Sequence, residues 1–234
     1  MRWDRIASCL AMATALAACQ REQTADTQEV PAAPAPAAVV ETPLQKPVTA
    51  TTAASAPDVP RAALPYRAML IRTARAVWGM DAPIAVFAAQ IHQESGWKAD
   101  AVSRVGAQGM AQFMPSTVTW IAKLDPELSS REPFNPAWAM RALVVYDQWL
   151  YDRTPQRYTA HDRMWVALRG YNGGLGHWTA EAASTGLAQP SRAQVDAACG
   201  KARRAPLHCK ENLGYPQRIL IVIQPRYAAW GPTV

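Results

Sequence analysis

Residues 62–234 are predicted to form one mainly α-helical domain, on three observations. Apolar residues recur at steps of three and four in several segments. Capping residues, prolines and glycines stand at the ends of those segments. The stretch holds all but one of the nine tryptophans and is long enough for one ordinary core.

The segment RAMLIRTARAVWG brings Met69, Ile71, Ala74 and Val77 near helical spacing and stops at Gly79. In DAPIAVFAAQIHQES, Asp81 is placed to cap a helix and Pro83 fits its first turn. Asn135-Pro136 has the chemistry of a cap and first turn for a helix carrying Met140, Leu143, Tyr146 and Leu150, with Pro155 just beyond its end. MWVALRGYNGG reads as a short helix broken at Gly173-Gly174, and ILIVI (219–223) fits a strand as well as a helix.

Ahead of this domain, Arg2 and Arg5 precede a run of 13 mostly small apolar residues, Ile6 to Ala18. That is short for a membrane span of about 20 residues and suits the core of a secretory signal, so residues 1–18 are expected to direct export. Residues 20–61 contain seven prolines, no glycine and no aromatic residue, and cannot bury a core; with Cys19 they are expected to form an extended tether, 19–61.

Charge divides the same way. The tether carries three basic and five acidic residues, the domain 19 basic and 12 acidic. A basic exported domain suits an anionic surface such as cell-wall polymer or phospholipid headgroups, and without a dense basic cluster it is not expected to bind nucleic acid. The four histidines, His92, His161, His177 and His208, are far apart in sequence. They are expected to be structural or at the surface, and neither metal nor cofactor is expected.

Ile84, Phe87, Ile91 and Glu94 succeed one another at steps of three and four, which turns a carboxylate toward the interior at a helix C-terminus. Burial and the helix dipole both favour its protonated form, and a carboxyl that holds its proton near neutral pH has the property of a general acid. A cap or a salt bridge to Arg104 is the plainer alternative.

The residues after Glu94 change the balance. Ser95-Gly96-Trp97 leads to Ser103-x-x-Gly106-Ala107-x-Gly109-Met110-x-Gln112-x-Met114-Pro115, then to Gly170-Tyr171-Asn172-Gly173-Gly174 and to Glu211-x-x-x-Tyr215. This series resembles the lytic transglycosylases of the goose-type lysozyme superfamily, block by block and in order, from about Ile71 to Pro225. The resemblance implies a lysozyme-like helical fold with a substrate cleft and, as substrate, peptidoglycan glycan strands. It implies Glu94 as acid and then base, with Ser103 and Gln112 along one side of the cleft and Tyr171 and Asn172 on the other.

Glu211 and Tyr215 match the last block. Met110 falls in the matched substrate block, although its chemistry suits the core, where Phe113 and Met114 are also expected; Trp97 fits sugar stacking or core equally. Gly170 replaces the usual alanine and Ala111 a larger residue, both with consequences expected for cleft width. Pro216 is expected to require a helix start. Within the family-like core no second carboxylate stands out, since Asp100 falls on an exposed-looking loop.

Leu16-Ala17-Ala18-Cys19 resembles a bacterial lipobox, which implies lipidation of Cys19 and, with Gln20 next, placement in the periplasm on the outer membrane. That reading removes Cys9 and leaves Cys199 and Cys209 to form a disulfide, whereas cleavage after Ala17 leaves three cysteines. CGKARRAPLHC between them reads as a basic stapled insertion whose role the family does not supply.

Overall fold

The computed structural model describes residues 59–234. The expectations for the export signal, Cys19 and the tether as far as residue 58 lie outside the described residues. Packing reaches back to Val59, which lies against the core, and a 3₁₀ turn begins at Arg61.

Helix α1, Arg67–Trp78, buries Leu70 and Ala74 and ends at Gly79, whose φ of 102° a side chain would resist. Helix α2 is Ile84–Ser95, and every residue from Ile84 to Ile91 is buried. A helix buried on all sides, with Gln90 its one polar residue in that stretch, belongs at the centre of a domain rather than on its surface. Asp81 does not cap it. Pro83 occupies that position, its carbonyl accepts from the amides of Val86 (2.9 Å) and Phe87 (3.3 Å), and the Ala85 amide donates to Pro232 at the other end of the domain (3.2 Å). A tertiary contact thus supplies what a side-chain cap would have supplied.

Helix α3 is Pro115–Ile121. Helix α4, Pro136–Asp152, starts where the sequence places it, with Asn135 Oδ1 accepting from the Ala137 amide at 3.0 Å. Helix α5, Ala160–Gly173, and α6, Leu175–Ser184, meet at Gly174, so the predicted break is a helix-to-helix corner. Helices α7, Arg192–Ala197, and α8, Cys209–Gln217, flank the Cys199–Cys209 loop.

ILIVI is neither strand nor α-helix. Arg218–Ile223 forms a π-helical segment and Gln224–Trp230 a 3₁₀ segment that packs on α2. Among the described residues there is no strand, only two isolated bridges in the loop after α2. Pro216 lies near the end of α8 rather than at a helix start, and the π-helical turns begin two residues later, where the ladder a proline interrupts is already being re-registered.

The helices pack in the sequence α1 on α4, α4 on α5 and α5 on α8, around α2. Gly170 belongs to this packing rather than to a cleft: a Cβ there would stand 2.9 Å from Leu150 Cδ2 of α4. Under α5, Arg169 is wholly buried and bonds Glu181 of α6 (2.5 Å), Asp196 of α7 (2.8 Å) and Asn212 of α8 (2.9 Å). A buried guanidinium needs all its partners, so this one cation fixes the mutual placement of four helices.

Cys199 and Cys209 are joined by a disulfide, with their Cα atoms 5.9 Å apart. Constraint of the unfolded chain by so short a loop is worth about 2–3 kcal/mol. Replacing Cys199 by Ser should lower thermal stability by about that amount; a melting temperature identical to the wild type's, with free thiols titratable in the native wild-type protein, would count against the bond.

Candidate active site

The segment between α2 and α3 turns on residues with positive φ. Gly96 (59°) and Trp97 (71°) end α2, and Gly106 (86°), Gly109 (72°) and Gln112 (51°) fold the next loop back on itself. At Gly109 a Cβ would stand 1.8 Å from the Pro133 carbonyl oxygen, so only glycine fits. Trp97 is buried and donates its indole N–H to the Tyr227 hydroxyl at 2.8 Å. It belongs to the core, and its burial offsets the cost of a left-handed tryptophan.

The Ser103 hydroxyl accepts from the Ala107 amide (2.9 Å), and the Gln112 Nε2 donates to the carbonyls of Gly109 (2.8 Å) and Ala101 (3.3 Å). Both side chains brace the loop and also line the cleft it borders. Met110 is 1% exposed and lines no part of that cleft, so its assignment to substrate contact is corrected to core packing. Of its neighbours, Phe113 is in the core as expected, 2% exposed with one edge on the cleft, whereas Met114, also assigned to the core, lines the cleft and is 40% exposed.

Glu94 sits where two depressions of about 570 and 360 Å³ meet; Asn172 and Glu211 line both as well. Arg104 does not pair with it. Instead Tyr215 donates a short hydrogen bond to Glu94 Oε1. Although the residue keeps a partly open face on the cleft, desolvation by the surrounding protein raises its pKa to about 7, the Tyr215 bond opposes that rise and the charge of Glu211 adds to it. Tyr171 stacks on Tyr215 (ring centroids 6.4 Å apart) and donates to the Ala111 carbonyl at 2.7 Å, tying α5 to the loop. Asn172 Nδ2 approaches Glu211 Oε1 at 3.5 Å.

Glu94 is therefore not alone. Glu211 shares its cleft, and Asp147 of α4 lies close enough to feel its charge. Asp147 is fully buried, accepts from Gln90 Nε2 at 3.4 Å, and leaves its Oδ2 without a partner among the described residues. Burial, reinforced by Glu94, holds it well above the usual carboxylate range, and it lines neither depression. The signal for it was present: Met140, Leu143, Asp147 and Leu150 run at steps of three and four, the same pattern that marks Glu94.

Among the described residues no group of acidic, histidine and cysteine side chains has metal-site geometry. His92 accepts or donates at Tyr227 Oη (3.0 Å), whereas His177 and His208, distant in sequence, line one pocket beside the cleft.

A family profile described as "Transglycosylase SLT domain" matches residues 69–191, just over half of the chain. The chain belongs to this family. The SLT match takes in Glu94, the loop to Met114 and the Tyr171-Asn172 pair, and ends before Glu211, Tyr215 and the disulfide loop.

Among curated proteins, the membrane-bound lytic murein transglycosylase F of Maricaulis maris is 37% identical over 95 residues, 39% of this chain and 19% of that protein. Its namesake from Alteromonas mediterranea is 34% identical over 92 residues, 39% and 18% of the two chains. The matched region is thus less than a fifth of either relative's length. Among solved structures, the lytic transglycosylase Slt of Pseudomonas aeruginosa superposes with a TM-score of 0.53 at 20% identity, over 74% of this chain and 26% of that one. The 70 kDa soluble lytic transglycosylase of Escherichia coli gives 0.51 at 22%, over 72% and 25%. Both place the SLT domain in the helical lysozyme-like fold.

The raised pKa of Glu94 has a consequence for stability. Between the ordinary carboxylate range and about pH 7 the native state holds a proton that the unfolded chain releases, so this residue's contribution falls as pH rises through that window. Glu94→Gln removes the charge that must otherwise be buried. The variant should melt above wild type at pH 8 and the gap should close toward pH 5; a gap independent of pH would show that the carboxyl is not desolvated.

Proposed function

We propose that this cleft cuts the β-1,4 bond between N-acetylmuramic acid and N-acetylglucosamine in peptidoglycan without consuming water. The observation that carries the reading is Glu94, a carboxyl with pKa about 7 at the meeting point of a two-sided cleft, in a chain of the SLT family. A polymer lying across both depressions would present one glycosidic oxygen to it.

Protonated Glu94 donates to that oxygen as the bond to C1 breaks. The resulting carboxylate then takes the proton from the C6 hydroxyl of the muramic acid as that oxygen attacks C1. The product is a 1,6-anhydro end, and Glu94 regains its proton. Tyr215 holds the carboxyl in place by donating to Oε1 and stabilises its charged form between the two steps. Ser103, Gln112 and Asn172 offer polar atoms to the sugars, Tyr171 walls the cleft, and Glu211 stands beside the reacting centre.

Glu211 also favours a second reading, a hydrolase on the same fold in which this carboxylate activates water. A scaffold that binds the wall without turnover is the remaining alternative. For location, we take Cys19 as a lipidated anchor and the cell envelope as the working site, periplasmic and at the outer membrane. The lipobox-like LAAC supports this, as do relatives described as membrane-bound. Among the described residues no helix is long and apolar enough to cross a membrane.

Mass spectrometry of digested peptidoglycan separates the readings. Wild type should release fragments one water lighter than hydrolytic products, and Glu94→Gln none. Reducing ends that vanish in Glu211→Gln would instead establish the hydrolase, and wall binding without release the scaffold.

Activity of the wild type should fall as pH rises through about 7, where Glu94 loses the proton it must donate. Tyr215→Phe removes the bond that favours the carboxylate, so that alkaline limb should move to higher pH while the maximal rate drops. A limb that stays in place would detach Tyr215 from the acid.

A further inference from the structure

Beside the cleft, behind Asn172 and Glu211, lies a separate pocket of about 440 Å³ whose far side is basic: Arg203, Arg204, His177 and His208. Its wall is the disulfide loop, which lies beyond the SLT match. We propose that this pocket binds a carboxylate of the peptide carried by the glycan strand, so that the protein recognises peptide-bearing strands over bare ones. The proposal rests on the reading that the cleft takes peptidoglycan.

Three observations support an anion site rather than a structural pillar. Arg204 is 5% exposed and its Nε is held by Glu181 Oε1 at 2.8 Å, yet its Nη2 has no partner among the described residues. Glu181 is shared with Arg169, one oxygen to each guanidinium, so Arg204 has no carboxylate to itself. His177 Nδ1, in the same lining, is also buried without a partner. Unmade bonds of this kind at buried polar groups are costly unless a ligand completes them.

The backbone makes room for this arrangement. A Cβ on Gly173 would stand 2.3 Å from Arg204 Nη1, so the glycine after Asn172 is what allows the guanidinium against α5. Asn212 bridges pocket and cleft, donating to Asn172 Oδ1 at 3.1 Å while its carbonyl oxygen accepts from Arg169. The one carboxylate in this lining, Glu211, also lines the cleft, where its Oε1 faces the Asn172 amide at 3.5 Å. A carboxylate on a flexible peptide fits this geometry because the peptide leaves the glycan at the muramic acid, the sugar whose bond Glu94 faces.

The test is calorimetric titration of the purified protein with a peptidoglycan disaccharide bearing its peptide, with the peptide-free disaccharide, and with the peptide-bearing form after amidation of its carboxyls. Wild type should bind the first about tenfold more tightly than the other two, at the lower end of what a charged hydrogen bond contributes. Arg203→Gln, at an exposed position, should lose most of that preference and bind the peptide-free sugar as wild type does. Arg204→Lys keeps the charge but not the fork that can hold Glu181 and a ligand together, and should lose the preference as well.

Equal binding of the three ligands by wild type would overturn the proposal, as would a preference that survives amidation or survives both substitutions. If inorganic phosphate raises the melting temperature while the three sugars bind alike, the pocket serves a phosphate and the proposal also fails. Turnover, read separately by mass spectrometry, keeps the two ideas apart: cleavage without a binding preference removes this pocket's role alone, and a preference without cleavage removes the proposed reaction alone.

Discussion

The desolvation of one carboxyl group depends on a helix that has no solvent face. Because α2 is buried from Ile84 to Ile91, the only way it can present a side chain to the outside is at its end, where Glu94 stands. The domain is arranged to keep that helix covered: the C-terminal 3₁₀ segment lies along it, the Pro232 carbonyl completes its first turn, and Trp97 locks its last turn to Tyr227. The C-terminal end of the chain and the centre of the domain are thereby coupled, and a proton-holding acid is a by-product of packing rather than of a dedicated charge pair.

The electrostatics around Glu94 depend on which of its neighbours are ionised. Tyr171 and Tyr215 are buried and held well above the ordinary phenol range, first by desolvation and then by the carboxylate itself, so both remain hydrogen-bond donors at any working pH. Deeper burial holds Asp147 well above the usual carboxylate range. Glu211, exposed at the surface of α8, adds to the rise at Glu94 and pushes it toward its acid form. Tyr215 pulls the other way. A carboxyl balanced between these influences, near pH 7, can both give and accept a proton at little cost.

Much of this was legible in the order of residues, and the failures have identifiable causes. The spacing of Ile84, Phe87, Ile91 and Glu94 gave the inward direction of the acid because helical periodicity is a local property, and Asn135-Pro136 gave a helix start because a cap is satisfied within three residues. Asp81 failed as a cap because the first amides of α2 are satisfied from elsewhere in the chain. ILIVI carries no helical period because it winds as a π segment and contacts the core on a different repeat. Met110 was placed in the cleft by its position in a matched block, whereas the loop's succession of left-handed residues turns it inward and turns Met114 out.

The basic insertion shows a different limit. CGKARRAPLHC reads as charged and stapled, but nothing local distinguishes Arg203, which is exposed, from Arg204, which is buried between α5 and α6. Their fates are decided by Gly173, Glu181 and Arg169, all distant in sequence. The same residues also connect the insertion to the cleft: Arg169 holds Asn212, Asn212 holds Asn172, and Asn172 lies against Glu211 beside the acid. A chain of polar contacts therefore runs from Arg169 beside the disulfide loop to the cleft wall at Asn172, so a ligand that completes the bonds of Arg204 would brace that wall. Recognition in the side pocket and positioning in the cleft would then be two ends of one hydrogen-bonded structure.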